Sequence, residues 1–334
     1  LLRPAAALLA LIAIGCANAS SLSAERLGVI YNIDDSTSES VARAYARRRA
    51  IPIENVLGVH LGRADVISPA AFTPSRDALI LQLPASVQSL ALVWSRPYAV
   101  GCMSVTTAMA AGYRPEFCQP GCGLTAVNPL YDADDWLPAD TVGWWPAMLL
   151  PTGDAHFAAA LIARGMLADK GNASGTVYLM RTADAARNVR AATYPRVELM
   201  EGDLVHIVEL TAPIAAELPD AIGFFTGAAR VDNLAQIHFL PGAVADHLTS
   251  TGGVLYGGSQ MSALEWLTHG ATATYGSVSE PCNHLEKFPD IDVFLKHYLH
   301  GETVLEAYWK SVKMPGQGLF IGEPLASPYV TRRR

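Results

Sequence analysis

Short apolar runs alternating with amphipathic stretches organise most of this chain. Leu27-Gly-Val-Ile-Tyr31 is apolar with β-branched and aromatic members, and it stops at the polar group Asn32-Ile-Asp-Asp-Ser36. A helix is predicted from about Ser38, a residue suited to an N-cap, with Val41, Ala44 and Tyr45 on its apolar face. Arg47, Arg48 and Arg49 fall in its last turn, where cations suit the negative end of the helix dipole, and Ile51-Pro52 ends it. Strands follow at 56–60 and 89–94. Further on, the pattern predicts helices near 156–168 and 183–192, with a strand between them at 176–180. It then predicts strands near 204–209 and 221–225, a helix around 242–249, and a last helix from about 292 to 313. Helices and strands alternating in this way predict a three-layer α/β/α sandwich on a mostly parallel sheet.

Two segments stand out from that rhythm. From about 112 to 154 the chain is rich in Pro, Gly, Asp and Trp, with Asp132, Asp134, Asp135, Trp136, Trp144 and Trp145 crowded together. Irregular segments of this length have a functional or stapling role, and Cys118 and Cys122 inside this one favour stapling. The second segment, Gly252 to Cys282, reads as strand, small-residue turn, helix and strand. Its two strands would end on Ser259-Gln-Met-Ser262 and Ser279-Glu-Pro-Cys-Asn283. Ligands in open α/β sheets gather outside the carboxyl ends of strands, so a site is expected there.

With 51% hydrophobic and 16% charged residues over 334 positions, the chain can bury a large core and is not a disordered segment. A net charge of −7 gives no electrostatic footprint for nucleic acid or anionic lipid. Arg3, the apolar run from Ala5 to Gly15 and Ala17-Asn-Ala19 read as a secretory signal peptide (1–19) cleaved after Ala19. Ala13-Ile-Gly-Cys16 is an imperfect lipobox, which leaves lipidation at Cys16 as the alternative. No later segment is long and apolar enough for a membrane helix. The remainder, 20–334, is expected to be a single α/β domain with an insert at about 112–154, placed in the periplasm or secreted.

Export would put Cys102, Cys118, Cys122 and Cys282 in an oxidising compartment, where four cysteines allow three disulfide pairings. A zinc site at Cys118 and Cys122 would need a second paired-ligand motif, which is missing, and no cofactor is expected. Cys282 is also the candidate nucleophile of a cysteine hydrolase, with His247 as base and Glu280 or Asp246 as orienter. An even cysteine count competes with that reading, because a disulfide would consume the thiol. Asn32, Asp34, Gln260, Ser262 and Asn283 are candidate ligand-binding residues, although Asx turns and helix caps use the same residue types. The chain has no Gly-x-Ser-x-Gly elbow, phosphate loop or His-Glu-x-x-His.

Val29-Ile-Tyr-Asn-Ile-Asp-Asp-Ser, Ala243-Val-Ala-Asp-His-Leu-Thr-Ser, Gly276-Ser-Val-Ser-Glu-Pro-Cys-Asn, Glu306-Ala-Tyr-Trp-Lys-Ser-Val and Gly322-Glu-Pro-Leu together resemble an exported bacterial family. That family is associated with genomes encoding exosortase, the sorting system for proteins with PEP-CTERM tails. The resemblance spans nearly the whole chain after residue 19 and implies no particular activity. The order of elements from Ala221 to Val278 is also similar to that of gingipain-type peptidases, which implies a caspase-like architecture. The turn that should hold their His reads Thr226-Gly-Ala-Ala, and the one that should hold their Cys reads Gly258-Ser-Gln-Met. The expectation is an exported accessory or binding protein with a degenerate hydrolase-like crevice. Its partner would be a protein, peptide or glycan, and the alternative is a hydrolase that uses Cys282.

Overall fold

The computed structural model describes residues 21–119, 122–171 and 174–330. The expected signal peptide, its cleavage point and the Cys16 alternative lie outside these. Ten strands form one sheet, in the order β2 (Val56–Val59), β1 (Leu27–Asn32), β4 (Ser89–Val93), β7 (Ala147–Leu149), β13 (Gly318–Gly322), β12 (Ala273–Ser277), β11 (Ile237–Leu248), β10 (Leu218–Gly227), β8 (Gly175–Arg181) and β9 (Val205–Thr211). Strands β2, β1, β4 and β7 pair in parallel, as do β12, β11, β10, β8 and β9. Strand β13 sits between the two sets and runs antiparallel to β12. A small second sheet joins β3 (Val66–Ile67), β5 (Ala99–Val100) and β6 (Met103–Ser104).

Helices cover both faces of the large sheet. On one lie α1 (Ser38–Arg49), α5 (Ala155–Ala168) and α7 (Leu264–Thr268), linked by Arg49 to Asp169 and by Arg164 to the Leu267 carbonyl. On the other lie α2 (Pro69–Ile80), α3 (Val105–Ala111), α6 (Tyr194–Glu198), α8 (Ile291–Leu299) and α9 (Val304–Ser311), while the short α4 (Pro138–Val142) belongs to the insert. Consecutive residues of β10 mark the two faces, since Phe224 packs on Trp266 of α7 and Phe225 on Phe294 of α8. The predicted three-layer α/β/α sandwich is the observed fold. Strands covered on both sides read as continuous apolar runs, and β4 is buried at every position.

Four predicted elements differ in the structure. Residues 242–249 are not a helix: 242–248 form the buried end of β11 and Thr249 follows it. Residues 252–256 are a loop, so the strand that leads into the Ser259–Ser262 turn is absent. The expected helix at 183–192 is a turn followed by a 3₁₀ segment, Asn188–Thr193. The single last helix is two, because a capping box at Thr303 and Glu306 starts α9 afresh after Gly301, whose φ is 87°.

The insert is part of the core. Trp136 is buried and its indole N–H donates to Ser89 Oγ at 3.0 Å, while Trp144 packs edge-on against Phe117 and Trp309. Two disulfides fasten it: Cys102–Cys118 to the turn between β5 and β6, and Cys122–Cys282 to the loop after β12.

Candidate functional site

Loops after β4, β11 and β12 converge. Ser279 Oγ donates to the Cys102 carbonyl at 2.7 Å, and the Arg96 guanidinium lies 3.7 Å over the Tyr256 ring. Glycines allow the closest approach: the loop after β11 returns over β12, with Gly253 N–H on the Ser277 carbonyl at 2.8 Å. A Cβ on Gly276 would stand 2.6 Å from the Gly253 nitrogen, so a side chain there would push the loop off the strand.

At this convergence a crevice of about 270 Å³ is lined by Arg187, Thr249, Ser250, Glu280, Asn283 and the Cys122–Cys282 disulfide. Arg187 donates through Nη1 to Asp184 at 2.7 Å and through Nε to Thr249 Oγ1 at 3.0 Å. Thr249 Oγ1 donates onward to Gln260 Oε1 at 2.8 Å, which also accepts from the Thr251 N–H and hydroxyl. Gln260 therefore fixes the turn that carries Thr249. Glu280 accepts the Cys282 N–H at 2.7 Å and holds that residue in a left-handed conformation, φ 54°. Asn283 is exposed on the crevice wall.

The proposed catalytic grouping is not assembled. Cys282, candidate nucleophile and candidate disulfide partner, is bonded to Cys122, and a disulfide sulfur has no thiolate to attack with. His247 is fully buried, with both ring nitrogens engaged. Trp266 Nε1–H donates to its Nδ1 at 2.9 Å, so the proton sits on Nε2, which donates to the Met261 carbonyl at 3.1 Å. Burial holds its pKa down to about 4, and it does not line the crevice. Asp246, the alternative orienter, projects from the opposite face of β11 and pairs with Arg190. Burial pushes its pKa up.

The candidate ligand residues separate into groups. Glu280 and Asn283 share the crevice, with Gln260 one hydrogen bond behind it. Ser262 instead braces the turn that leads into α7, its hydroxyl donating to the Leu255 carbonyl at 3.1 Å and accepting from the Leu264 N–H, while Ala263 stands at the N-cap. Asn32 and Asp34 belong to the ends of β1 and β2. Asn32 is buried with its amide fully used, Nδ2 donating to the Gly62 and Arg96 carbonyls and Oδ1 accepting from Asp34 and Leu61. It is a tie between three loops, not a ligand contact. Asp34 accepts from Gly62 N–H at 2.8 Å and meets His60 Nδ1 at 2.9 Å, and the His60 hydrogen bond holds its pKa low.

The buried Arg190–Asp246 pair went unseen in the sequence, although a signal was available. Ala243-Val-Ala-Asp-His-Leu248 is an apolar run interrupted by a charge, and a charge on a buried strand requires a cation. Among the described residues no group of three or more His, Cys, Asp or Glu side chains could hold a metal ion, and no helix is long and apolar enough to cross a membrane. Comparison with family models, curated proteins and solved structures returns no match. Function must therefore be argued from the site itself.

Proposed function

We propose that this is an exported accessory or binding protein of the cell envelope, with a hydrolase-like crevice that has no hydrolytic machinery. The observation that carries the reading is the Cys122–Cys282 disulfide on the crevice wall, which leaves neither cysteine a thiol that could serve as nucleophile there. Two disulfides and the signal-like residues 1–19 support export. The crevice offers Arg187, Thr249, Ser250, Glu280 and Asn283, donors and acceptors of both kinds that suit a polar chain, either peptide or glycan. The caspase-like architecture and the link to exosortase-type sorting rest on the sequence resemblance and on the succession of β10, β11 and β12 alone.

The test is non-reducing peptide mapping after iodoacetamide treatment of the native protein. The expected product is a Cys122–Cys282 linked peptide carrying no alkylation. Rapid alkylation of Cys282 near neutral pH, together with a peptide hydrolysis abolished in Cys282→Ala, would replace this reading with the cysteine hydrolase.

A further inference from the structure

A separate cavity of about 390 Å³ opens outside the carboxyl ends of β8, β9 and β10. Its wall includes Thr182 and Asp184 after β8, Ala212 and Ile214 after β9, and Ala228 and Asp232 after β10. The topology makes this a switch point. β8 and β10 are parallel neighbours, yet the chain leaves β8 for β9 on one side and β10 for β11 on the other. The first connection runs through α6, and the second meets the segment leading into α7, where the Met261 N–H donates to the Ala229 carbonyl at 2.9 Å. Connections that diverge to opposite faces leave a crevice between the strand ends, the place where open α/β sheets bind ligands. The walls are braced against one another. Thr182 Oγ1 donates to the Gly227 carbonyl at 2.6 Å, the Ala212 N–H to the Arg181 carbonyl at 2.8 Å, and Asn233 Nδ2 to the Ile214 carbonyl at 2.9 Å. Asp184 pairs with Arg187 of the crevice described above, so that ion pair is the partition between the two cavities.

Volume and lining decide what fits. Small-molecule pockets start at about 300 Å³ and are mostly apolar with a few polar groups; this cavity clears that size, and the crevice of about 270 Å³ does not. Met180, Ile214 and Val231 form a buried apolar floor, and Ala183, Pro213 and Ala229 give the wall accessible apolar surface. Two further wall residues, Arg230 and Asp232, are exposed, and among the described residues neither has a hydrogen bond or ion pair through its side chain, with the other or with anything else. One free cation and one free carboxylate beside an apolar floor suit a ligand that carries both charges and an apolar body. We propose that this cavity binds a free apolar α-amino acid, with its carboxylate on Arg230, its ammonium on Asp232 and its side chain on the floor. In an α-amino acid the two charged groups share one carbon, whereas each further residue of a peptide separates them by about 3.5 Å more. The inference does not use the crevice and stands whether or not the accessory reading holds.

The test is calorimetric titration of the intact oxidised protein with L-leucine, glycine, N-acetyl-L-leucine, L-leucinamide and leucylglycylglycine, repeated on Arg230→Gln and Asp232→Asn. Both side chains are exposed and unpaired, so the variants should keep the wild-type melting temperature. The expected result is saturable leucine binding and none by glycine, which has no apolar body. N-acetyl-leucine lacks the ammonium and leucinamide the carboxylate, and each should bind about ten-fold more weakly than leucine. Arg230→Gln should lose the preference for leucine over leucinamide, and Asp232→Asn the preference over N-acetyl-leucine. Three outcomes overturn the proposal: no saturable leucine binding by the wild type, glycine binding as tight as leucine, or undiminished leucine affinity in either folded variant. Tighter binding of leucylglycylglycine than of leucine would also overturn it and make the occupant a peptide.

Discussion

The two disulfides close loops of very different length, and that difference sets an order of stabilities. Cys102–Cys118 spans 16 residues and Cys122–Cys282 spans 160. Loop-closure entropy in the unfolded chain then assigns about 3 kcal/mol to the short bridge and about 5 kcal/mol to the long one. The difference of about 2 kcal/mol depends only on the ratio of the loops, so it is firmer than either value. Packing argues the other way. Cys118 is buried and Cys122 exposed, so trimming sulfur at the short bridge loses more contact, on the order of 1 kcal/mol. Cys102→Ala/Cys118→Ala and Cys122→Ala/Cys282→Ala would be compared with the wild type by equilibrium urea denaturation without reductant. The long-bridge variant is expected to lose more stability by about 1–2 kcal/mol, with a larger denaturant dependence because its unfolded state is freer to expand. A short-bridge variant that is the less stable of the two would refute the reasoning and make local packing the dominant role of both bridges. Domains of this kind hold roughly 5–15 kcal/mol in all, so removal of the long bridge consumes much of the margin.

Three further outcomes are expected. His247 ionises near 6.5 in an unfolded chain but is held down to about 4 by burial, so the unfolded state takes the proton first as pH falls. Its contribution is complete above about pH 6.5 and is lost towards pH 4, up to about 3 kcal/mol; urea midpoints for wild type and His247→Gln that fall in parallel over that range would sink the idea. Arg49→Met strands the buried Glu323, which accepts from Arg49 and Tyr45, and should cost about 3–5 kcal/mol, with Arg49→Met/Glu323→Leu recovering much of it in thermal denaturation. Gly227→Ala puts a Cβ 1.8 Å from the Arg187 carbonyl oxygen, which must shift the crevice loop; a melting temperature unchanged from wild type would show that the loop gives way freely.

The sequence was most legible where one physical signal acted alone. Val56–Val59, Ser89–Val93 and Gly175–Arg181 are short apolar runs between turn residues, and each is a strand within a residue or two of expectation. Helix α1 ends where Ile51-Pro52 requires, yet its arginines do more than complement a dipole, since Arg49 reaches Asp169 and Glu323, far along the chain. Nothing local announces such a partner. The region from Gly242 to Tyr256 failed because a strand buried on both faces has no period to read. Ala243-Val-Ala with Asp, His and Leu is as compatible with a helix as with a strand, and β11 was resolved only by its neighbours on either side.

The disulfide removes the candidate thiol, and the segment on β11 accounts for the loss of the base and its orienter, through register. Cysteine, histidine and two carboxylates do lie close enough in sequence to suggest a hydrolase. Had Asp246 and His247 stood on a helix, both could have turned towards one end of the sheet. On β11 consecutive side chains must point to opposite faces. Asp246 goes to Arg190 among the residues covered by α8, and His247 goes to Trp266 of α7, with the whole sheet between them. The strand reaches the crevice with what comes next, Leu248, Thr249 and Ser250, none of them a base or a thiol of useful reactivity. A one-residue slip of β11 would bring histidine to the other face, but it would also expose Asp246 to α7 without its arginine and turn the apolar set Val244 and Leu248 away from its packing. Arg190 therefore fixes the register of β11. By requiring Asp246 on its own face, it keeps His247 on the other, away from the crevice.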